Sequence, residues 1–347
     1  MPEKGKVENR KLQTTGGSTY TVSLPKQWVE EIGLKTGDDV AIEDRGSSLL
    51  LSPPNLRKKN ATEALIEVEP DESGDSMKRK ILSLYLAGFN KITIRAANRL
   101  QSKHRSAIKE LARNKLVGTE IISESIEEIS LQTLLSYSDL SVKDSLNRMY
   151  RVTTSMQENA IAALEETDKE LAEDVIELDE EVDRFQMYLI RAVKASIDNP
   201  SLLPEMGLES EKEGLSYRLV SRNVERAADH AAHIAEHVLE MEKPIEEDLL
   251  KLYKELNDLS EEVFKKSLDS LLEEDYKSAE EAISENKKLY SLEEEINRAL
   301  AEKKVSETMS ERLLIENIRR IAEHGFNIAE IVMNMTVEKN HSIFSED

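Results

Sequence analysis

The sequence predicts a multidomain, mainly α chain, in which a small β unit and a small α/β module precede two tandem antiparallel three-helix bundles. Three patterns carry this prediction. Short apolar alternations punctuated by Gly and Pro occupy residues 1–54, which is typical of short strands. Strand and helix patterns alternate over residues 60–135, and apolar residues then recur at helical spacing over 139–242 and 244–340. We take these four ranges as the domains.

The composition excludes several classes of protein. The 347 residues include no Cys, which excludes disulfides and thiolate metal sites and fits a reducing compartment. The sequence has no signal peptide and no apolar run of about 18 residues. We therefore expect a cytoplasmic protein that does not insert into a membrane. A P-loop, a dinucleotide fingerprint and a nucleophile elbow are all missing, so we expect no enzymatic activity.

The first unit shows the pattern of strands around one short helix. Tyr20, Val22 and Leu24 alternate with hydroxyl residues, and this period of two predicts a half-buried strand. Pro25 and Gly33 then delimit a short helix. Four short strands and one helix are too few to bury a core alone, so a second copy of the chain is expected to complete it.

This unit resembles the AbrB/SpoVT swapped-hairpin family over residues 7–53. The resemblance rests on Gly16-Gly17-Ser18, on Leu24-Pro25-Lys26, and on the run IGLKTGDDV at 32–40. It implies a homodimer of interleaved hairpins that contacts promoter DNA. The residues that the resemblance places on phosphates are Arg10, Lys11, Lys26 and Arg45. Relatives of this family also include modules that only dimerise, so DNA contact and ordinary surface roles both stay open for these four side chains.

Residues 60–135 alternate strands and helices, which favours a βαβ layer. The predicted strands lie at 65–68, 91–95, 117–122 and 129–135, and the predicted helices at 77–86 and 101–115.

The net charge of −22 is unevenly distributed. Residues 77–115 hold eleven Lys or Arg residues and one acid, while the C-terminal region is strongly acidic. An acidic surface repels nucleic acid, so only the first 115 residues suit DNA. We favour pairing of the basic helix at 101–115 with the acidic bundles or an acidic partner over contact with nucleic acid.

Six helices are predicted after residue 139. They lie at 141–166, 168–198, 216–241, 245–272, 275–301 and 306–338. Pro244 divides them into two sets of three, and each set can bury its apolar stripes as a bundle. On the third helix, Glu225, Asp229 and His233 recur every four residues and can turn toward one cation. A solvated polar face is the alternative interpretation.

Residues 225–236 (ERAADHAAHIAE) resemble the signature of the PhoU domain, and a similar run at 319–330 (RRIAEHGFNIAE) begins 94 residues later. The α/β segment also resembles the spacer of archaeal PhoU-like regulators, on residues 85–95 and 116–125. The resemblance implies two tandem bundles and negative control of phosphate uptake through contact with a transporter ATPase or a signalling protein.

The same resemblance implies a metal site on the first bundle. Asp179 and Asp183 would face Glu225 and Asp229, with His233 at the margin, around iron, zinc, manganese or magnesium. In the second bundle Arg319 stands where Glu225 stands, so we expect metal in the first bundle only. Arg319, Arg320 and His324 suit a structural role better than an anion site.

The sequence is compatible with three functions. The first is a phosphate-responsive transcriptional regulator that binds DNA through its N-terminal unit and senses through its bundles. The second is an adaptor that dimerises without touching DNA and docks on a phosphate transporter ATPase or signalling protein. The third, a di-metal oxidase, is disfavoured because its acids would have to lie in the bundle interior beside Glu-x-x-His pairs.

Overall fold

The computed structural model describes residues 8–17, 19–44, 48–53, 63–301 and 309–339. Two compact units make up the chain, Met1–Ala61 and Thr62–Asp347. The predicted fold class is confirmed, because a small β unit and a small α/β module precede a long helical region. The finer division of the second unit into three domains remains a prediction. Within the described residues, no helix is both long and apolar enough to cross a bilayer.

The first unit consists of two antiparallel hairpins and a short helix. Its elements are β1 (Gln13–Thr15), β2 (Thr19–Thr21), α1 (Lys26–Glu31), β3 (Ala41–Asp44) and β4 (Leu49–Ser52). Gly33 follows α1 with a φ of 74°, as its predicted role in ending the helix requires. None of the described residues of this unit is buried. Leu12, Tyr20 and Leu49 are 66%, 69% and 63% exposed, so the unit has apolar side chains but no core of its own.

The second unit begins with the predicted α/β module. Its elements are β5 (Glu63–Val68), α2 (Gly74–Leu86), β6 (Lys91–Ala96), α3 (Ser102–Asn114), β7 (Thr119–Glu124) and β8 (Glu128–Thr133). The strands form one sheet in the order β5-β6-β8-β7. β5 and β6 are parallel and joined through α2, whereas β8 pairs antiparallel with both β6 and β7. The predicted βαβ layer is therefore present.

The two helices of the module share one apolar core with the sheet. Met77 and Ile81 of α2 and Ile108 of α3 are fully buried in the same cluster as Ile92 and Ile94 of β6. Alternate residues of the strands carry polar and charged side chains. The period of two along each strand thus separates the core from a polar face.

The basic residues of the module are mostly engaged in ion pairs within the chain. Lys78 pairs with Glu110 at 2.7 Å, and Lys109 pairs with Glu124 at 3.0 Å. Lys115, which caps the C-terminus of α3, reaches Asp183 of the helical region at 3.0 Å. Lys115 therefore pairs with the first bundle as predicted, whereas the pairs of Lys78 and Lys109 stay within the α/β module.

Two sets of helices follow the module. The first contains α4 (Val142–Glu166), α5 (Lys169–Asp198) and α6 (Glu211–Glu240), and the second contains α7 (Glu247–Glu273), α8 (Tyr276–Ser284), α9 (Asn286–Ala301) and α10 (Met309–Lys339). In each set, the first turn between helices contains a left-handed residue followed by a capping aspartate. These residues are Thr167 and Asp168 in the first set, and Glu274 and Asp275 in the second. The sets pack against each other through α6 and α10.

Two helix boundaries differ from those predicted. α6 begins at Glu211 rather than 216, because Ser210 caps it and Gly214 fits inside the helix against Leu208 and Val193. The predicted helix at 275–301 is divided at Glu285, whose amide bonds to the carbonyl of Ala282 in a tighter turn. Neither Gly nor Pro marks this division in the sequence.

Candidate functional site

Four carboxylates predicted to face one another do come together between α5 and α6. Asp179 and Asp183 lie one turn apart on α5 and are half-buried. Glu225 and Asp229 lie one turn apart on α6, and Glu225 is only 9% exposed. We call these four residues the acidic cluster. Sequence spacing places each pair on one face of its helix, and the resemblance to the PhoU domain implied that the two faces meet.

The acidic cluster is electrostatically strained. Burial, together with the charges of Asp183 and Asp229, raises the pKa of Asp179 to about 7. Burial and the charge of Asp229 also raise the pKa of Glu225. Asp179 Oδ1 and Glu225 Oε2 are buried and have no hydrogen-bond partner among the described residues. A buried carboxylate oxygen without a donor is costly, so the cluster is suited to receive a cation or a proton.

Basic side chains supply part of the missing positive charge. Lys115 Nζ lies 3.0 Å from Asp183 Oδ2, and Arg226 Nη1 lies 3.2 Å from Asp229 Oδ2. Arg222 lies 3.7 Å from Glu225. Sequence reasoning missed Lys115 because it comes from α3, far away along the chain. The only feature of the sequence that could have indicated this contact is the position of Lys115 at the end of a strongly basic helix.

His233, the fifth predicted ligand, is exposed on α6. Its ring lies edge-on to that of His230, with centroids 6.0 Å apart. Among the residues that the structure describes, no three Asp, Glu or His side chains converge closely enough to hold a metal ion as they stand. The predicted ligands thus share one surface, but their oxygens are not gathered around one point.

The donor set nevertheless fits a hard cation. Carboxylate oxygens are the ligands that iron, manganese and magnesium accept, and zinc also accepts them. Two of these oxygens, Asp179 Oδ1 and Glu225 Oε2, accept no hydrogen bond from the residues that the structure describes, although Arg226 Nε lies 3.8 Å from Glu225 Oε2.

In the second bundle, the side chain of Arg319 supplies the positive charge that clustered carboxylates need. Arg319 lies in the α10 position that corresponds to Glu225, and it is surrounded by three glutamates. Its guanidinium lies 3.3 Å from Glu293 and 2.6 Å from Glu316, and it also donates to Glu323. A permanent cation therefore occupies the place between α9 and α10, which agrees with the predicted structural role of Arg319. In the first bundle a carboxylate stands at this place instead.

The predicted DNA-binding residues all belong to the first unit, and Arg45 lies outside the described residues. Arg10 and Lys11 precede β1 and are exposed, and Lys26 is the first residue of α1. Arg10 pairs with Glu8, and Lys26 lies 3.6 Å from Glu30. These neighbouring acids weaken the local positive field.

Comparison with known proteins agrees with the two-part organisation. The PhoU domain matches residues 146–238 and 253–332, and the family described as antidote-toxin recognition MazE, bacterial antitoxin, matches residues 13–59. A comparison with curated proteins found no match.

Two solved structures are similar to the helical region. PhoU from Pseudomonas aeruginosa is 19% identical over 57% of this chain and 96% of its own, with a TM-score of 0.47. The phosphate transport system regulatory protein PhoU from Streptococcus pneumoniae is 19% identical over 59% of this chain and 96% of its own, with a TM-score of 0.46.

Proposed function

We propose that this chain, which belongs to the PhoU-domain proteins, is a phosphate-responsive regulator that acts negatively on phosphate transport. The observation that carries the proposal is the fusion of a MazE-like unit to two tandem PhoU domains in one chain. The first part suits dimerisation and DNA, and the second suits sensing. A DNA-binding transcriptional regulator uses both parts together.

Dimerisation through the first unit is the first element of the proposal. The unit leaves Leu12, Tyr20 and Leu49 largely exposed, and none of its described residues is buried. Each Å² of apolar area that becomes buried stabilises the folded state by about 25 cal/mol. A second interleaved copy would bury these exposed side chains. The chain is therefore expected to be a homodimer.

DNA contact is the second element. A dimer would carry Arg10, Lys11, Lys26 and Arg45 twice, and basic side chains on one surface bind the phosphate backbone. The acids of the helical region would repel DNA, so contact is confined to the first unit. Such binding weakens steeply as salt concentration rises.

Metal sensing is the third element. We propose that Asp179, Asp183, Glu225 and Asp229 hold iron, zinc, manganese or magnesium, with His233 as a further ligand. The unpartnered oxygens of Asp179 and Glu225 support this proposal. The metal would supply the positive charge that Arg319 supplies in the second bundle. We therefore expect the second bundle to bind no metal.

Regulation then follows from differential binding. A ligand that binds one arrangement of the bundles better than another shifts the population toward that arrangement. The shift changes how the dimer presents its basic residues to DNA.

Fluorescence anisotropy with the full-length protein tests this function. The probes are the chain's own promoter and promoters of phosphate-uptake genes, titrated at low and moderate salt. We expect specific binding that the triple variant Arg10→Ala, Lys11→Ala, Lys26→Ala loses. Absence of binding to every promoter at low salt would overturn the DNA-binding part.

The alternative is an adaptor that does not bind DNA. The pairing of Arg10 with Glu8 and of Lys26 with Glu30 favours it, because paired side chains are less available to phosphates. In that case the first unit only dimerises, and the bundles dock on a phosphate transporter ATPase or signalling protein. Regulation of phosphate uptake would then survive the triple substitution. Neither version calls for catalysis.

A further inference from the structure

A cleft of about 670 Å³ lies in the α/β module, away from the acidic cluster. It opens at the carboxyl ends of β5 and β6, where Val68 and Ala96 complete the two strands. These strands are parallel neighbours in the sheet. In α/β sheets, ligands bind in the crevice beyond the carboxyl ends of parallel strands. The cleft therefore occupies the position in the module that suits a ligand best.

The N-terminus of α3 also opens onto this cleft. Gln101 and Ser102, its N-cap and first residue, line the wall. The Gln101 side chain donates to the carbonyl of Pro70 at 2.9 Å and makes no capping hydrogen bond to the helix. The first turn contains no acidic residue. The positive end of a 13-residue helix thus faces the cleft without a capping side chain, which favours an anion.

A buried imidazole gives independent support. His104 lines the cleft and is only 1% exposed. Its Nε2 lies 2.8 Å from the carbonyl oxygen of Glu72, so Nε2 carries a proton and donates it. Its buried Nδ1 has no hydrogen-bond partner in the part of the chain that the structure describes. Buried polar atoms are almost always paired, and a polar ligand in the cleft would complete this one.

The charges around the cleft indicate the class of ligand. Arg95 is occupied by Glu128, at 2.6 Å. Arg99 lines the cleft, is exposed, and has no ion pair with any residue that the structure describes. A free guanidinium beside a helix N-terminus matches the geometry of a phosphate group.

The cleft is larger than a phosphate group alone would fill. Pockets of about 300–1,000 Å³ hold small organic molecules. Val68, Ala96 and Ala97 offer apolar contacts, while Glu67 and Glu69 offer acceptors for hydroxyl groups. We propose that the cleft binds a small organic phosphate monoester, with its phosphate at Arg99 and the α3 N-terminus and its hydroxyl-bearing part toward Glu67 and Glu69. This inference is independent of the metal and DNA elements of the proposed function.

Isothermal titration calorimetry on the full-length protein tests the inference. The probes are AMP, ribose 5-phosphate, adenosine and inorganic phosphate at low ionic strength. We expect one of the two monoesters to bind at least tenfold more tightly than both adenosine and inorganic phosphate. The variant Arg99→Gln should weaken that binding at least tenfold, whereas Arg113→Gln, at the other end of α3, should leave it within twofold.

A second variant isolates the helix N-terminus. Ser102→Pro removes one amide donor at the first helical position, where Pro is tolerated because Gln101 has an extended backbone. We expect weaker binding with an unchanged melting temperature. Failure of both monoesters to bind would overturn the inference. Equal affinity for inorganic phosphate and the monoesters would overturn it, as would binding that neither Arg99→Gln nor Ser102→Pro weakens.

Discussion

Lys115 Nζ donates to Asp183 Oδ2 at 3.0 Å, and this contact joins the end of α3 to the acidic cluster on the first bundle. Both side chains are largely shielded, at 23% and 27% exposure. An ammonium on the chain therefore already neutralises part of the charge that a metal ion would neutralise. A cation binding at Asp183 must compete with Lys115.

Removal of this competing charge should strengthen metal binding. In Lys115→Met, which removes the charge and keeps most of the length of the side chain, we expect metal affinity to rise about tenfold, or ~1.4 kcal/mol. Lys109→Met is the matched control, because Lys109 pairs with Glu124 within the α/β module. Competition against a fluorescent chelator measures both. Unchanged or weaker affinity in Lys115→Met would show that Lys115 does not compete for the site.

Arg319 should be important for the stability of the second bundle. Its side chain is 11% exposed among Glu293, Glu316 and Glu323. Arg319→Gln leaves Glu293 without its cation and leaves Glu316 and Glu323 with Arg320 alone. We therefore expect destabilisation of about 3 kcal/mol and a melting temperature several degrees lower. Arg298→Gln, which removes an exposed pair with Glu294, should change little. Differential scanning calorimetry distinguishes the two, and equal effects would contradict the assigned role.

His324 should make stability fall on acidification. Its ring stacks on His230 with centroids 5.5 Å apart, and its Nδ1 lies 3.0 Å from Asn223 Oδ1. Burial, together with neighbouring charge, lowers the pKa of His324 to about 4. Arg226, Arg320 and Arg222 contribute positive charge at His324, and the His230 imidazole stacks on it.

The sign of the pH effect follows from the lowered pKa. Between pH 6.5, the ordinary value, and about 4, the unfolded chain binds more protons at His324 than the folded chain does. Stability should therefore fall as pH is lowered through this window. We expect the melting temperature of His324→Gln to depend less on pH than that of the wild type, whereas the exposed His233→Gln should follow the wild type in chelator. Identical pH profiles for wild type and His324→Gln would rule out this contribution.

The first unit should assemble through its exposed apolar residues. Light scattering should give about twice the chain mass of 39.4 kDa for the wild type. Leu49→Asp places a charge on a residue that a second copy would bury, so we expect monomers. Lys35→Asp changes an exposed polar position and should leave the dimer intact. A monomeric wild type would remove the basis for the swapped-hairpin arrangement.

Sequence patterns predicted the parts of this protein that depend on local spacing. Asp179 and Asp183 share a face because they are four residues apart, and Glu225 and Asp229 do so for the same reason. Periodicity likewise located the helices, and alternation located the sheet. The metal and DNA roles of the predicted residues remain predictions.

Contacts between distant segments could not be predicted in this way. Lys115 reaches Asp183 across 68 residues, and the pairing depends on how α3 packs on α5. The burial of His104 depends on the loop that supplies the Glu72 carbonyl. No Gly or Pro marks the division between α8 and α9 at Glu285. Helical periodicity alone therefore predicted one continuous helix.

Metal analysis of the full-length protein tests the central claim most directly. Protein purified without chelator would be analysed for metal content by mass spectrometry, as wild type, as Asp229→Asn and as Asp174→Asn. Asp174 is an exposed acid on α5 outside the acidic cluster and serves as the control. We expect at least one metal ion per chain in the wild type and in Asp174→Asn, and a loss in Asp229→Asn. A metal-free wild type, or a metal content that Asp229→Asn leaves unchanged, would contradict the claim that the acidic cluster is a metal-sensing site.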